Sequence, residues 1–329
     1  MPYQDIISKL KKSGLKGRSG SGFPTGLKWE SVKNAKAKKK YIICNAAEGE
    51  PEVFKDDFIL KNYPEKVIEG IKIALKTIDH SSAYFYINKN YFKKYGVKLK
   101  KLIGKLPIEI FQKKTEFGAY IGGEETSIIE SIEGKRAEPR KKPPHPTQVG
   151  LFNYPTLVNN VETFYYVSKI AEGKYENTRF YSVSGEVKNK GVFELPEDLT
   201  VKKVLEQTGN WPSFDFFAQI GGGAEGEIFL PQELDTSIQY LASIIIFNKE
   251  TTDLYGLMGK WVDFLMKGNC DKCVPCREGL YRIREMIDKN KIEKETLDDL
   301  FLVLEETSFC PLGRGSTAPF KSLINKVLK

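Results

Sequence analysis

Three cysteines stand at a spacing of three in Cys270-Asp271-Lys272-Cys273-Val274-Pro275-Cys276-Arg277-Glu278-Gly279, and Cys310 follows about one helix pair later in Ser308-Phe309-Cys310-Pro311. Four thiolates in a Cx2Cx2C…C pattern match the needs of a [4Fe–4S] cluster, one sulfur for each iron. The short spacing lets one loop wrap three corners of a cubane, and Cys310 supplies the fourth. A structural zinc site also takes four soft ligands, but it usually gathers them as two separate CxxC hooks. Three ligands in one hook favour iron–sulfur over zinc or plain buried thiols.

A second stretch with chemical potential is Gly14-Leu15-Lys16-Gly17-Arg18-Ser19-Gly20-Ser21-Gly22-Phe23-Pro24-Thr25-Gly26-Leu27-Lys28-Trp29. Glycine lets backbone N–H groups approach a ligand closely, and consecutive N–H groups form an anion-binding concavity to which Arg18 and Lys28 add charge. A mobile surface loop and a phosphate cradle are both compatible with this composition. GxxxxGK[ST] is absent, and no apolar strand leads in, so neither a Walker A loop nor a dinucleotide fingerprint is present. Downstream, Ala46-Ala47-Glu48-Gly49-Glu50-Pro51 follows an apolar run, and polar groups just past a strand's carboxyl end are where open α/β sheets place ligands. Glu124 and Glu125 follow two glycines and open a helix, where acidic residues complement the helix dipole; lining a ligand pocket is the sharper alternative. Asn159 and Asn160 are poor helix formers within a run expected to be helical, and either a ligand contact or a frayed helix start accounts for them.

The elements that must position these residues follow from pattern. Alternating strands (41–45, 82–88, 108–112) and helices (57–78, 91–106, 126–132, and one from about 156) argue for an α/β fold with a largely parallel sheet covered by helices. Residues 135–146 form a proline-rich, stiff connector. From residue 180 the pattern changes to short strands (180–187, 191–195, 214–220, 227–230, 242–247) around one helix (199–207), a β-grasp-like unit. The remainder is helical (254–267, 278–290, 294–305, 317–328), a four-helix bundle around the cysteine hook, and bundle interiors are usual cofactor sites. The expected division is 1–175, 176–249 and 250–329.

The chain of 329 residues carries a formal charge of +8, with 40% hydrophobic residues and five cysteines. Basic runs at 33–40 and 94–105 read as solvated faces. No nucleic-acid-binding module and no aromatics interleaved with the basic residues are present, so no nucleic-acid role is expected. Four cysteines in one cluster pattern do not make a disulfide framework, which points to a reducing compartment. The opening Met1-Pro2-Tyr3-Gln4-Asp5 does not read as a secretory signal. The longest apolar stretch, 240–247, is too short to span a bilayer. A cytoplasmic location follows, with membrane contact only through partners.

Seven motifs fall in one order: GLKGRSGSGFPTGLKW, CNAAEGEP, GAYIGGEET, EGKRAEPRKKPP, PTLVNNVET, CDKCVPCREG and CPLG. Together they resemble the NADH-binding flavoprotein subunit of respiratory complex I and its soluble relatives in NAD-linked hydrogenases and formate dehydrogenases. The resemblance runs from about Gly14 to the C-terminus. It implies a Rossmann-like FMN domain, a soluble-ligand-binding β-grasp insert and a helical domain with one [4Fe–4S] cluster. It also implies that NADH gives a hydride to FMN and that the cluster takes the electrons away singly, a division suited to a flavin that accepts two electrons and a cluster that carries one. The implied partners are a thioredoxin-like [2Fe–2S] subunit and a larger iron–sulfur subunit.

Carried over position by position, phosphate and ribityl contacts fall on Gly17, Arg18, Gly20 and Lys28, and strand-end contacts on Asn45 and Glu48. Tyr120, Gly123, Glu124 and Glu125 shape the flavin and nicotinamide pocket, and Asn159 and Asn160 complete the flavin site. Phe23, Glu50 and Lys142 match the dinucleotide side. Glu50 and Glu125 are the catalytic positions in the sense of positioning, since hydride transfer to a flavin requires no proton abstraction from the donor. Cys270, Cys273, Cys276 and Cys310 are the implied cluster ligands. The chain departs from the family pattern at Ser19 and Ser21 (small residues in the family), Ala47 (acidic) and Gly122 (cysteine). Ser31 and His145 stand at the two aromatic positions that sandwich the adenine, so weaker NADH binding is implied. A relay that serves a donor or acceptor other than NADH, such as ferredoxin or a hydrogenase, is the alternative.

Overall fold

The computed structural model describes residues 5–20, 22–114, 119–238 and 241–328. Ser21, Gly118, Tyr240 and the opening residues 1–4, each part of a sequence expectation, lie outside the described residues. The chain forms two compact units.

The first unit is built on a parallel four-stranded sheet of β1 (Lys40–Ala46), β2 (Ser81–Ile87), β3 (Ile108–Gln112) and β4 (Thr156–Asn160), in the order β3-β2-β1-β4. Its central strand β1 carries Tyr41, Ile42, Ile43 and Cys44, all buried, the continuous apolar run of a strand covered on both faces. Around the sheet lie α1 (Ile6–Lys12), α2 (Thr25–Asn34), α3 (Lys55–Asn62), α4 (Pro64–Thr77), α5 (Lys89–Ile103), α6 (Glu125–Ile132) and α7 (Val161–Ala171). The expected helix over 57–78 is two helices. Pro64 has no N–H and restricts Tyr63 before it, so the chain breaks there and α4 restarts with proline in its first turn. Close packing joins α4 to α7: a Cβ at Gly70 would lie 2.0 Å from the Phe164 carbonyl oxygen.

The expectation of a helix from about residue 156 is corrected by the structure. Thr156, Leu157 and Val158 pair with β1 as a buried strand, and the helix begins only at Val161. Asn160 has extended backbone (φ −75°, ψ 161°), and its side chain accepts from the Glu162 N–H. Asparagine is poor inside a helix and good at its N-cap, so Asn160 marks the strand-to-helix corner. The two N-terminal helices α1 and α2, hidden in the sequence by lysines and glycines, flank the glycine loop.

The second unit carries a mixed sheet of β5 (Thr178–Gly185), β6 (Gly191–Pro196), β7 (Phe216–Ile220), β8 (Glu227–Phe229) and β9 (Ser243–Asn248), ordered β6-β5-β9-β7-β8. β5 and β9 are parallel, whereas β7 is antiparallel to both β8 and β9. One helix, α8 (Val201–Gln207), contributes Val201, Val204 and Leu205 to a core with Tyr181, Phe216 and Ile244. The helices α9 (Leu254–Gly268), α10 (Leu280–Asp288), α11 (Lys294–Thr307), α12 (Pro311–Gly315) and α13 (Ala318–Leu323) follow. The expected helix over 317–328 is preceded by the separate turn of α12, which Pro311 starts. Trp261, Leu265, Leu280, Phe301, Leu304 and Phe320 form its core, with the Trp261 and Phe320 rings edge to face at 5.5 Å. No helix among the described residues is long and apolar enough to cross a membrane.

Candidate cofactor sites

In the first unit the carboxyl ends of β1 and β4 lie side by side, with Cys44 opposite Asn159 and Asn45 opposite Asn160. Strand order reverses direction between these two strands, and in open parallel sheets that crevice is the usual ligand site. Asn45 donates from Nδ2 to the Gly123 carbonyl at 2.9 Å and accepts the Ala47 N–H at 3.0 Å. Asn159 Oδ1 accepts from Trp29 Nε1 at 2.9 Å, tying α2 to the sheet. Asn160 Oδ1 accepts from Lys55 Nζ at 2.9 Å, and its Nδ2 donates to Asp56 Oδ2 at 2.7 Å.

A buried ionic network supports this edge. Lys55 Nζ lies 2.6 Å from Asp56 Oδ1 and 3.3 Å from Glu162 Oε2, and Glu162 Oε1 is 4.0 Å from Arg18 Nε. Glu48 accepts the Asp56 N–H at 3.1 Å and the Tyr91 hydroxyl at 2.7 Å. Burial, with the Asp56 carboxylate beside it, pushes the Glu48 carboxyl up to about 8 against the opposing pull of Lys55.

The glycine loop is closed by a bridge between Lys16 and Pro24. The Gly17 N–H donates to the Phe23 carbonyl at 2.9 Å and the Arg18 N–H to Thr163 Oγ1 at 3.2 Å. Arg18 is 3% exposed; its guanidinium turns inward, Nη2 donating to the Tyr175 hydroxyl at 3.2 Å and the Thr178 carbonyl at 3.3 Å. Its contribution is to anchor the loop. The N–H groups of Ser19 and Gly20 have no partner among the described residues, and Gly20 (φ 95°) has no atom within 4 Å of where a Cβ would stand. Phe23 is 51% exposed.

Lys28, Glu125, Lys142 and Glu124 form one chain of ion pairs. Lys28 Nζ is 2.8 Å from Glu125 Oε2, and Lys142 Nζ is 2.9 Å from Glu124 Oε1 and 3.1 Å from Glu125 Oε1. Burial opposes ionisation of Glu125, yet Lys28 and Lys142 hold it at about 2. Glu124 caps α6, accepting the N–H groups of Thr126 and Ser127. Two hydroxyls here, Thr25 Oγ1 and Ser127 Oγ, are fully buried and lack a partner. Orphaned hydroxyls, uncommitted loop N–H groups and a polar strand edge fit a polar, anionic ligand.

In the second unit the four expected cluster cysteines share one core, Cys276 within it and Cys270, Cys273 and Cys310 packed against it, although no three or more Cys, His, Asp or Glu side chains among the described residues stand in a group set to hold a metal ion. Cys276 is buried, and Cys270, Cys273 and Cys310 are half-buried. Cys276 lies in a π-helical turn, Pro275–Gly279, a local widening common at functional sites. Burial, then its neighbours Cys273, Cys310 and Cys270, push its thiol far up. Burial also raises Cys310 to about 11, against the Gly313 and Leu312 N–H groups at the start of α12. A Cβ at Gly313 would lie 2.4 Å from Ser308 Oγ and 3.7 Å from Cys276 Cβ, so the turn beside the thiols is backbone alone. Thiols such as Cys276 and Cys310 that resist ionisation by themselves suit a cationic cluster, whose binding displaces their protons. Glu50 and Tyr120 also belong to this unit. Glu50 Oε1 accepts the Ala224 N–H at 2.8 Å, and the Tyr120 phenol lies against Glu50 and Glu225.

Residues 10–169 match the family described as the Nuo51 FMN-binding domain, and residues 256–327 match the NADH-ubiquinone oxidoreductase-F iron-sulfur binding region. The chain is 33% identical to one of the NADH-quinone oxidoreductase F subunits of Rhizobium meliloti, covering 97% of this chain and 86% of that one. This chain belongs to the F-type family of NADH-quinone oxidoreductase subunits. The corresponding F subunit of Aquifex aeolicus is 35% identical over 95% of this chain and 82% of its own length. The alpha subunit of the NAD-reducing hydrogenase HoxS of Cupriavidus necator is 34% identical over 98% of this chain, which spans 59% of that protein. A crystal structure of an NAD+-reducing [NiFe]-hydrogenase superposes with a TM-score of 0.88 at 26% identity, over 99% of this chain and 61% of that one. The chain thus carries the FMN-binding and iron–sulfur regions of its family.

Of the expected residues, the structure brings Asn45, Glu48, Gly123, Glu124, Glu125, Lys28, Lys142, Asn159 and Asn160 together in the first unit. It also shows what motif reading passed over. Lys55, Asp56, Glu162 and Tyr91 bind the sheet edge from below, and Glu225 faces Glu50. For Lys55-Asp56 the available signal was a Lys-Asp pair at a helix start close behind CNAAEGEP; Glu225 gave none beyond the glycines before it.

Proposed function

We propose that this chain is the electron-input flavoprotein subunit of a larger complex, oxidising NADH at FMN and passing electrons singly to a [4Fe–4S] cluster. The observation that carries the reading is the pairing of Asn45 with Asn160 at the β1/β4 crevice, with the glycine loop's uncommitted N–H groups in the same unit. Bound FMN would take a hydride from NADH and release its electrons one at a time. The chain's own residues supply the binding. Ser19 and Gly20 would offer backbone N–H groups to the phosphate, Asn45 and Asn160 would fix the strand edge, and Lys28 with Lys142 would supply positive charge balanced by Glu124 and Glu125. Cys270, Cys273, Cys276 and Cys310 would hold the cluster. Glu50, Tyr120 and Phe23 would serve the nicotinamide dinucleotide side.

The finer architecture belongs to the same proposal: a flavin domain over 1–175, a β-grasp unit over 176–249 and a helical cluster domain over 250–329. The mixed sheet with one helix and the helices around the cysteine hook support it. A thioredoxin-like [2Fe–2S] subunit and a larger iron–sulfur subunit would carry the electrons onward, placing the chain at the cytoplasmic side of a membrane complex or in a soluble one.

Anaerobic titration of the reconstituted protein with NADH tests the reading through bleaching of the flavin band. Bleaching is expected. An oxidised flavin after NADH, with full bleaching by dithionite, would overturn NADH as the donor while leaving the cofactors in place.

A further inference from the structure

Glu50 and Glu225 form a carboxyl pair in the second unit that no positive charge among the described residues neutralises. Glu50 is 8% exposed. Its Oε1 accepts the Ala224 N–H at 2.8 Å, while its Oε2 has no hydrogen-bond partner. Glu225 Oε1 also lacks one. The loop that brings the two together leaves no room for side chains at two of its glycines. Gly222 adopts φ 125°, where a Cβ would come within 2.4 Å of Glu50 Oε1, and a Cβ at Gly226 would lie 2.4 Å from the Gly222 carbonyl oxygen.

The groups facing the pair can be named. From the segment before Ile121 comes the Tyr120 phenol, backed by Phe264 and Gly268 of α9, neither of them charged. From β7, Gln219 Nε2 donates to the Gly226 carbonyl at 3.1 Å. Glu52, next but one to Glu50, is paired outward with Lys190 at 2.6 Å. From α12 the approach is Gly315, whose Cβ would stand 3.7 Å from Glu225 Oε2; the Arg314 beside it donates from Nε to the Ser308 carbonyl at 2.9 Å. Cys310 is the N-cap of helix α12, and Gly315 lies five residues on, about 7–8 Å along the axis. The Glu225 carboxyl therefore sits one short helix from the iron–sulfur segment.

We propose that Glu225, with Glu50 and Tyr120, is a one-proton site coupled to the charge on the iron–sulfur segment, so that an electron arriving there is accompanied by a proton. This rests on the cluster reading of the four cysteines. The electron comes from the flavin by the proposed activity and the proton from solvent water, whose O–H bond breaks to leave hydroxide as the O–H of the carboxyl forms. Two neighbouring carboxyls of like charge, one buried and one half-buried, cannot both ionise readily. Burial, then the Glu50 carboxylate, holds Glu225 up at about 8, and burial raises Glu50 as well. An added electron nearby raises the proton affinity further, because the interior screens charge poorly.

The test is an EPR-monitored redox titration of the cluster-loaded protein over a pH series, with infrared difference spectra of the carboxyl C=O band. In the wild type the midpoint potential is level on the acid side and falls once pH passes the ionisation of the pair. Glu225→Gln is always neutral, keeps the acid-side potential throughout and loses the carboxyl band. Glu50→Gln removes the neighbouring carboxylate, so the break moves to lower pH. Identical profiles for wild type and Glu225→Gln, or no change in the carboxyl band, would overturn the coupling. Absence of any cluster signal in the wild type would instead overturn the iron–sulfur reading, and the inference with it.

Discussion

Glu48 shows how one carboxyl reports its surroundings. It is half-buried beside Asp56, and loss of water around it, with the Asp56 carboxylate, lifts it from 4.5 to about 8. A raised carboxyl binds its proton more tightly in the folded chain than in the unfolded one. Its contribution to stability is full below about pH 4.5, declines as pH rises and is lost once pH passes about 8. Glu48→Gln removes that decline, so melting temperature measured across this window should fall less steeply than in the wild type. Ser31 and His145 make a second case at this scale. Each stands where the family resemblance places an aromatic ring, and Ser31 is exposed on α2. A ring stack adds roughly 0.5–1.5 kcal/mol beyond area burial, which at 1.4 kcal/mol per tenfold is about 2- to 12-fold in affinity. Ser31→Phe and His145→Phe should each lower the Kd for NADH by that factor in a flavin-bleaching titration. An unchanged Kd in both would remove the adenine sandwich from these positions. The candidate polar residues were named in the sequence because they follow an apolar run, where open α/β sheets place ligands, and because they stand in the family motifs. The orientation of Arg18 was not, since a cation in a glycine loop reads as a phosphate ligand until Tyr175 and Thr178 are seen to hold it.

At the scale of elements, backbone contacts rather than side chains decide what is tolerated. Helices α4 and α7 approach so closely that a Cβ at Gly70 would lie 2.0 Å from the Phe164 carbonyl oxygen. Gly70→Ala forces the helices apart, and overpacking of this kind costs about 1–3 kcal/mol, readable as a lower urea midpoint. The turn of α12 leaves no room for a side chain either. A Cβ at Gly313 would meet Ser308 Oγ at 2.4 Å beside Cys276, so Gly313→Ala should reduce iron and sulfide bound per chain. Full loading with an unchanged visible spectrum would show that the turn can yield. The strands over 108–112 and around 41–45 were legible from their apolar runs. The corner at Asn160 was not, because Thr-Leu-Val-Asn-Asn carries no helical or alternating period, and only the cap hydrogen bond to Glu162 fixes where strand ends and helix begins.

For the whole molecule, the two units divide the cofactor chemistry between separate cores. The aromatic and aliphatic core around Trp261, Phe301 and Phe320 takes in Cys276 and has Cys270, Cys273 and Cys310 packed against it, whereas the parallel sheet with its asparagine edge has a core of its own. Thiols pushed up by burial and by each other favour the protonated, metal-free state only until iron displaces their protons, so cluster binding contributes directly to folding of that segment. Oxidative removal of iron under a chelator should therefore strip amide hydrogen-exchange protection from the cysteine hook through α12, residues 270–315, and leave β1 to β4 protected. The sheet edge that is expected to hold FMN should keep its flavin after iron is gone, read as retained yellow absorbance on gel filtration. The reverse treatment, release of flavin by mild denaturant, should leave the iron content unchanged. Loss of both cofactors together in either treatment would mean that the units fold as one cooperative body. In that case the order of the motifs along the chain, which made the family legible, would say less about stability than the separate cores suggest.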